Sequence, residues 1–238
     1  NISNAAFNDP FYGWIDNEQI YFADRNTGIR RIGVNERNLA LSTSDAKYDY
    51  FVQNNRLEYY GNPWQYGAMN ACFAKVDGLW YWGKTYGGGG IFRFAESDIS
   101  PVDISRGTNP PYATIFPDEF VKSFVIDATN QILYAVIRDK GLYAVPLTDI
   151  TANDATKTNT KAESKYLVAS FKSDSEGSVG EYVDVCQMVL DSSDGSVYFG
   201  LRAEEGSSET SGVKRWNPTT KKLETIVSGV NVYGIALN

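Results

Sequence analysis

The sequence predicts an all-β chain folded as a β-propeller, with five blades favoured and four as the alternative. Three observations carry that expectation. A unit of two apolar strands joined by an Asp/Asn/Gly turn recurs along the chain. Residues 20–32 read IYFADRNTGIRRI, and LWYWGKTYGGGGIFRF, ILYAVIRDKGLYAV and SVYFGLRAEEGSSETSGVKRW follow as variants. The composition is rich in strand-forming rings, with 16 Tyr, 12 Phe and 5 Trp in 238 residues. No segment of helical length carries a 3.6-residue apolar period.

The elements follow from alternating apolar runs punctuated by turn residues. Residues 1–10 are polar and read as irregular. Strands are expected at 11–15, 20–24 and 29–34, with Gly28 able to supply the positive φ of the intervening turn. Residues 39–41 follow, and 48–52 and 57–60 read as a hairpin about Asn54 and Asn55. GNPWQYG at 61–67 is a Pro/Gly loop. Residues 71–76 and 79–82 flank the Asp77-Gly78 turn, and the glycine run 87–90 leads into 91–94. Strands at 112–116, 123–126, 132–137 and 142–147 come next. Residues 148–164 are Thr/Asn/Lys-rich and read as a mobile insertion. Strands at 166–171, 183–190, 197–201, 213–216, 223–227 and 232–237 complete the chain, and AEEGSSETSG is a second polar insertion inside a hairpin.

Aligning the aromatic strands on Tyr21, Tyr81, Tyr134 and Tyr198 gives four clear units, roughly 50–65 residues apart. Tyr59 marks a fifth, degenerate unit around residues 48–60, second in chain order. Four antiparallel strands per repeat of this length is the pattern of a propeller blade. A blade buries its faces only against its neighbours, so the chain 1–238 reads as one propeller domain. The competing fold is a β-sandwich with fortuitous likeness between hairpins. The ends bear on closure: VYGIAL at 232–237 is similar to FYGWI at 11–15, and both read as the innermost strand of a blade. One inner strand too many points to a chain trimmed from a longer protein, or to a seam completed by residues near the N-terminus.

Charge and residue types exclude several functions. The net charge of −7 and pI near 4.7 disfavour nucleic acid and anionic membrane surfaces. No run reaches the ~18 apolar residues of a membrane helix, so membrane insertion is not expected. Residues 1–10 lack the basic start and apolar core of a signal peptide. The chain opens on Asn1, which suggests a processed protein, secreted or at the cell surface. There is no histidine, so imidazole-dependent triads and metal centres are absent. Cys72 and Cys186 sit in apolar strand contexts and read as buried thiols, with a disulfide left open. Without a CxxC, structural zinc is not expected. The glycines of YGGGGIF lack the GK[ST] and helix of a phosphate loop and read as a hairpin turn. DATNQ and DSSDGS do not fit a calcium loop. Their Asp and Asn side chains are expected to bond their own turn backbone. Nothing in the sequence calls for a cofactor.

The unit IYFAD-RNTG-IRRI resembles the repeat of receptors of the low-density-lipoprotein-receptor type. There a YWTD motif is followed by a Gly turn and an Ile-x-Arg-Ile-like strand. Phe22-Ala23-Asp24 stand here in place of Trp-Thr-Asp, and LWYWG…GIFRF is similar more loosely. Bacterial secreted and surface proteins carry similar propellers. The resemblance implies architecture and a binding role, with no catalytic residue to carry over. Arg25, Arg30 and Arg31 of the unit read as solvated charges on an outer sheet edge.

The binding candidates are Trp64 and Tyr66 in the Pro/Gly loop, and Tyr86 before the glycine run. Loop aromatics bury area at little entropic cost and serve protein and glycan partners alike. Trp14, Trp80 and Trp82, on strands, read as packing between blades. The enzymatic alternative is a glycosidase. The five-bladed invertase-like family uses an Asn-Asp-Pro nucleophile, an Arg-Asp and a Glu acid. Asn8-Asp9-Pro10, Arg138-Asp139 and Glu181 resemble that order. This makes Asp9, Asp139 and Glu181 the catalytic candidates of that reading, although Arg138-Asp139 falls in a hairpin turn. The favoured expectation is a non-catalytic binding propeller for a protein or glycan partner. A structural spacer domain is the third.

Overall fold

The computed structural model describes residues 10–24, 28–34, 49–53, 70–84, 90–95, 113–117, 119–137, 140–150, 158–170, 183–203 and 211–237. Its first sheet is the meander β1 (Pro10–Asp16), β2 (Gln19–Asp24), β3 (Gly28–Gly33) and β4 (Asp49–Gln53), each strand antiparallel to the next. The second is built on β5 (Asn70–Val76), β6 (Leu79–Lys84), β7 (Ile91–Ala95) and β8 (Ala113–Ile115), with β12 (Thr158–Thr160) as a fifth strand. The third runs β9 (Val121–Asp127), β10 (Ile132–Ile137), β11 (Gly141–Pro146), β13 (Leu167–Ser170). The fourth runs β14 (Val183–Leu190), β15 (Val197–Ala203), β16 (Gly212–Asn217), β17 (Lys222–Ser228). Apart from β12, which returns to pair with β8, strands consecutive in sequence are neighbours within each sheet, which is the connectivity of a propeller blade.

The chain divides into two compact units, Asn1–Thr114 with Ala152–Thr158, and Ile115–Thr151 with Asn159–Asn238. In the first unit an aromatic cluster joins the first two sheets. Trp14 lies edge-on to Trp80 at 5.6 Å between centroids, Tyr21 stands 4.8 Å from Trp80, and Phe73 packs on all three. Trp80 and Trp82 are fully buried, as expected for strand tryptophans. In the second unit the core is largely aliphatic: Val136, Leu142, Val185, Met188, Val197 and Leu201 surround Tyr134, Phe199 and Trp216. Each large apolar side chain so buried contributes about 1.5–3 kcal/mol. One polar tie reinforces this packing, the Met188 N–H donating to Ser123 Oγ at 3.2 Å.

The repeat has a register that the sequence alone did not reveal. Tyr21 of β2 stands opposite Arg31 of β3, Tyr81 of β6 opposite Arg93 of β7, and Tyr198 of β15 opposite Arg215 of β16. Arg93 is buried, and burial pushes the Tyr81 hydroxyl above its ordinary pKa while the Arg93 guanidinium pulls against that rise. The Arg215 guanidinium lies 5.7 Å from the Tyr198 ring centroid. In the third sheet Tyr134 faces Ala144 instead.

Four sequence expectations need correction. The strand expected at 48–52 is not the start of a separate degenerate blade, because Asp49–Gln53 pairs with β3 as the fourth strand of the first sheet. Its supposed partner, 57–60, lies outside the described residues. Since β4 covers β3, Arg30 and Arg31 sit on an interior strand and not on an outer edge, while Arg25 lies outside the described residues. Residues 232–237 form no strand; Val232 N–H reaches Leu201 O at 3.2 Å, but no ladder follows. Within the expected insertion 148–164, β12 and the start of a 3-10 turn at Ser164–Tyr166 are regular structure, the turn tied down by Tyr166 Oη donating to Asp149 at 2.8 Å. The remaining strands agree with expectation to within a residue or two at most ends.

Candidate functional site

In an antiparallel meander the start of the first strand, the end of the second and the start of the third lie at one end of the sheet. In the second sheet Asn70 pairs with Lys84, and Gly83 pairs with Ile91. The segment carrying Trp64 and Tyr66 enters β5, and the segment carrying Tyr86 joins β6 to β7. Both segments therefore attach at this one end. Trp64, Tyr66 and Tyr86 themselves lie outside the described residues.

The glycosidase candidates are likewise outside the described residues. In sequence, Asp9 precedes β1, Glu181 precedes β14, and Asp139 follows β10. Cys72 is on β5 and Cys186 on β14, as expected, but their side chains are outside the described set.

The corresponding end of the third sheet carries a polar cluster that the sequence did not single out. There Ile137 pairs with both Val121 and Gly141. Lys140 Nζ bonds Glu119 Oε1 at 2.5 Å, with the lysine side chain 47% and the glutamate 22% exposed. The Tyr143 hydroxyl is raised in pKa first by burial; the Lys140 ammonium lowers it and the Glu119 carboxylate raises it, so both charges act on the phenol. Phe120, next to Glu119 in sequence, is 41% exposed. The backbone leading into this cluster is strained. Phe116 is fully buried with φ 57°, a conformation that costs a bulky residue about 1–2 kcal/mol. It is held there by its N–H donating to Thr160 O at 2.7 Å and by the Tyr143 ring at 5.3 Å. A sequence signal existed, the apolar-acidic FPDEF run before a strand, but its weight came only with the fold.

The opposite ends of the sheets are occupied with their own turns. Asp127 accepts from Asn130 N–H at 2.9 Å and from its side-chain amide at 2.7 Å. Asp191 accepts from Ser193 N–H at 2.9 Å, and Asn217 from Thr219 and Thr220 N–H. The bond from Ser196 N–H, then the Ser196 hydroxyl and Arg215, hold the Asp194 carboxyl below its ordinary 3.8. These side-chain oxygens satisfy turn donors, the role expected for Asp and Asn there. Among the described residues no three His, Cys, Asp or Glu side chains gather to hold a metal ion.

No protein-family model matches the chain, and no curated sequence is significantly similar to it. Solved structures do resemble it. The extracellular domain of BT4673 from B. thetaiotaomicron, assigned to a hybrid two-component system, superposes with a TM-score of 0.52 at 14% identity, over 94% of this chain and 26% of that one. A Bacteroides uniformis protein assigned as a 6-phosphogluconolactonase gives 0.54 at 11% identity, over 98% and 62%. A Trichoderma reesei carbohydrate-active enzyme of family AA12 gives 0.53 at 11% identity, over 97% and 56%. The chain spans about a quarter of the BT4673 domain and about three-fifths of the other two. These neighbours are propeller-like, and with the four-stranded meanders they show the fold to be a β-propeller. No helix among the described residues is long and apolar enough to cross a membrane.

Proposed function

We propose that this chain is a non-catalytic binding propeller of a secreted or cell-surface protein, recognising a protein or glycan partner. The observation that carries the reading is the end of the second sheet, where the Trp64/Tyr66 and Tyr86 segments both attach. Two segments that carry three aromatic residues in the sequence and enter one sheet end are candidates for a recognition surface, since interfaces are enriched in such rings. The extracellular domain among the structural neighbours supports the location, and the Tyr–Arg register of three sheets supports reading the repeat as YWTD-like.

The test is partner binding by the folded chain, on a glycan array and against an extracellular protein fraction. Trp64→Ala is expected to weaken capture about tenfold or more with an unchanged melting curve. Capture that survives substitution of all three rings would overturn the assignment. The second reading, glycoside hydrolysis by Asp9, Asp139 and Glu181, rests on the order of Asn8-Asp9-Pro10, Arg138-Asp139 and Glu181 along the chain. Release of an aryl aglycone by the purified chain, abolished by Glu181→Gln, would establish it over the first.

A further inference from the structure

We propose that Asp77-Gly78, the turn between β5 and β6, is a site of spontaneous covalent modification that converts to an isoaspartyl linkage. The modified chain is then a substrate for the class of carboxyl methyltransferase that recognises isoaspartate. The inference stands apart from the reading of the chain as a binding propeller.

The sequence holds two Asp-Gly dipeptides, Asp77-Gly78 and Asp194-Gly195, and each serves as the control for the other. Both glycines have positive φ, 76° and 75°. Their surroundings are opposite. Asp77 and Gly78 are exposed, and nothing lies within 4 Å of a Cβ placed on Gly78. The β5–β6 ladder closes at Val76 and Leu79, so the Gly78 N–H stands outside it. Gly195 is buried, with Pro218 Cγ, Asp127 Oδ2 and Asn130 Nδ2 within 3.7 Å of its Cβ position. Its N–H donates to Asp191 O at 2.8 Å. The Asp194 carboxylate accepts from Ser196 N–H at 2.8 Å, from the Ser196 hydroxyl at 2.9 Å and from Arg215 at 2.6 Å.

The reaction begins when the Gly78 main-chain nitrogen attacks Cγ of Asp77 in its neutral acid form. A C–N bond forms, the carboxyl C–OH bond breaks, and the hydroxyl leaves with the amide proton as water. Water then opens the cyclic imide at the Asp77 main-chain carbonyl, and the chain runs on through Cγ. The water lost in the first step returns in the second, and no electrons are transferred. Glycine leaves the attacking nitrogen unshielded, since it carries no side chain. At Asp194 both reactants are tied. The nitrogen is engaged with Asp191, and the three donors favour the ionised carboxylate over the reactive acid. The isoaspartyl product adds a main-chain carbon to a two-residue turn whose geometry is fixed by strand twist. The strands it joins carry Phe73 and Trp80 of the aromatic cluster, so the change loosens the packing of the first two sheets.

Peptide mapping of the folded chain after prolonged incubation at neutral pH tests this, on the tryptic peptides 76–84 and 173–202. Peptide 76–84 is expected to yield an isomer of unchanged mass, preceded by a species lighter by one water. An isoaspartyl methyltransferase with labelled S-adenosylmethionine should methylate that isomer. It should accumulate at least about tenfold faster than any isomer at Asp194. Gly78→Ala should slow it about tenfold, because the methyl group shields the nitrogen. Arg215→Met with Ser196→Ala should speed the reaction at Asp194 and leave Asp77 unchanged. In urea that unfolds the chain, the two sites should react within about twofold of each other. Circular dichroism checks that each variant is folded before incubation. No isomer at Asp77 in the folded chain, or equal rates at the two sites there, overturns the proposal. A difference that persists undiminished in urea also overturns it, because local sequence and not the fold would then set the rates.

Discussion

Gly141 and Gly212 open the third strands of their sheets with φ of 144° and 143°. A Cβ at Gly141 would run into the carbonyl oxygen of Ala169, and one at Gly212 into that of Val227. In each case the obstacle is backbone of the fourth strand, which cannot swing aside as a side-chain tip could. Glycine is needed here so that the outer strand can close on the third, a stronger demand than the turn alone makes. Gly141→Ala and Gly212→Ala are expected to cost about 2–3 kcal/mol each. Gly78→Ala is the contrast: φ is 76°, yet nothing lies within 4 Å of the added carbon, so only the conformational cost of about 1 kcal/mol applies. Urea titration of the three variants measures the difference, as a shifted midpoint at constant slope. Equal losses would mean that the contact with the outer strand is not the reason for glycine.

At the scale of elements, the hairpins between first and second strands fall into two kinds. In the first unit they are two-residue turns with both central residues left-handed, Asn17 and Glu18 at 48° and 60°, Asp77 and Gly78 at 51° and 76°. That is the type I′ geometry that matches strand twist. In the second unit longer turns rely on Asp127 or Asp191 as acceptors for turn N–H groups. Glu18 is the misfit, since a glutamate gains nothing from φ 60°. Glu18→Gly should stabilise the chain by about 0.5–1 kcal/mol, read as a higher denaturation midpoint, because the N–H and carbonyl of the turn are kept. No change in that midpoint would show that the hairpin contributes little to the cooperative unit.

These turns, and the strands they join, were legible in the sequence because Asp, Asn and Gly sit between alternating apolar runs. Pairing beyond neighbours was not. Asp49–Gln53 follows a long segment after β3, and nothing local says that it returns to that strand and does not begin a new blade. Thr158–Thr160 has no apolar alternation at all, and becomes a strand only because β8 offers it a ladder. Residues 232–237 show the reverse: the apolar pattern is there, but without a ladder Tyr233 and Leu237 stay exposed. The Glu119–Lys140 pair was hidden for the same reason, its partners being 21 residues apart and joined only through the meander.

Across the whole molecule the aromatic richness that marked the sequence also sets its response to alkali. Tyr81, Tyr134 and Tyr143 are each raised above the ordinary 10.0, in every case first by burial, which disfavours the phenolate. Their secondary influences differ: Arg93 opposes the rise at Tyr81, Asp127 adds to it at Tyr134, and Lys140 and Glu119 act in opposite directions at Tyr143. The unfolded chain gives up these protons near 10.0, whereas the folded chain holds them to higher pH. Stability from these groups is therefore fully present below pH 10.0 and is lost as pH rises through the folded values. Phenolate absorbance should show the exposed tyrosines ionising first, then a late group whose ionisation coincides with loss of the β-sheet circular dichroism. Tyr81→Phe should move that unfolding step to higher pH if the Arg93 side chain stays accommodated, because one ionisation driving the unfolded state is gone. If all the tyrosines ionise together near 10.0 with the dichroism intact, burial does not control their titration.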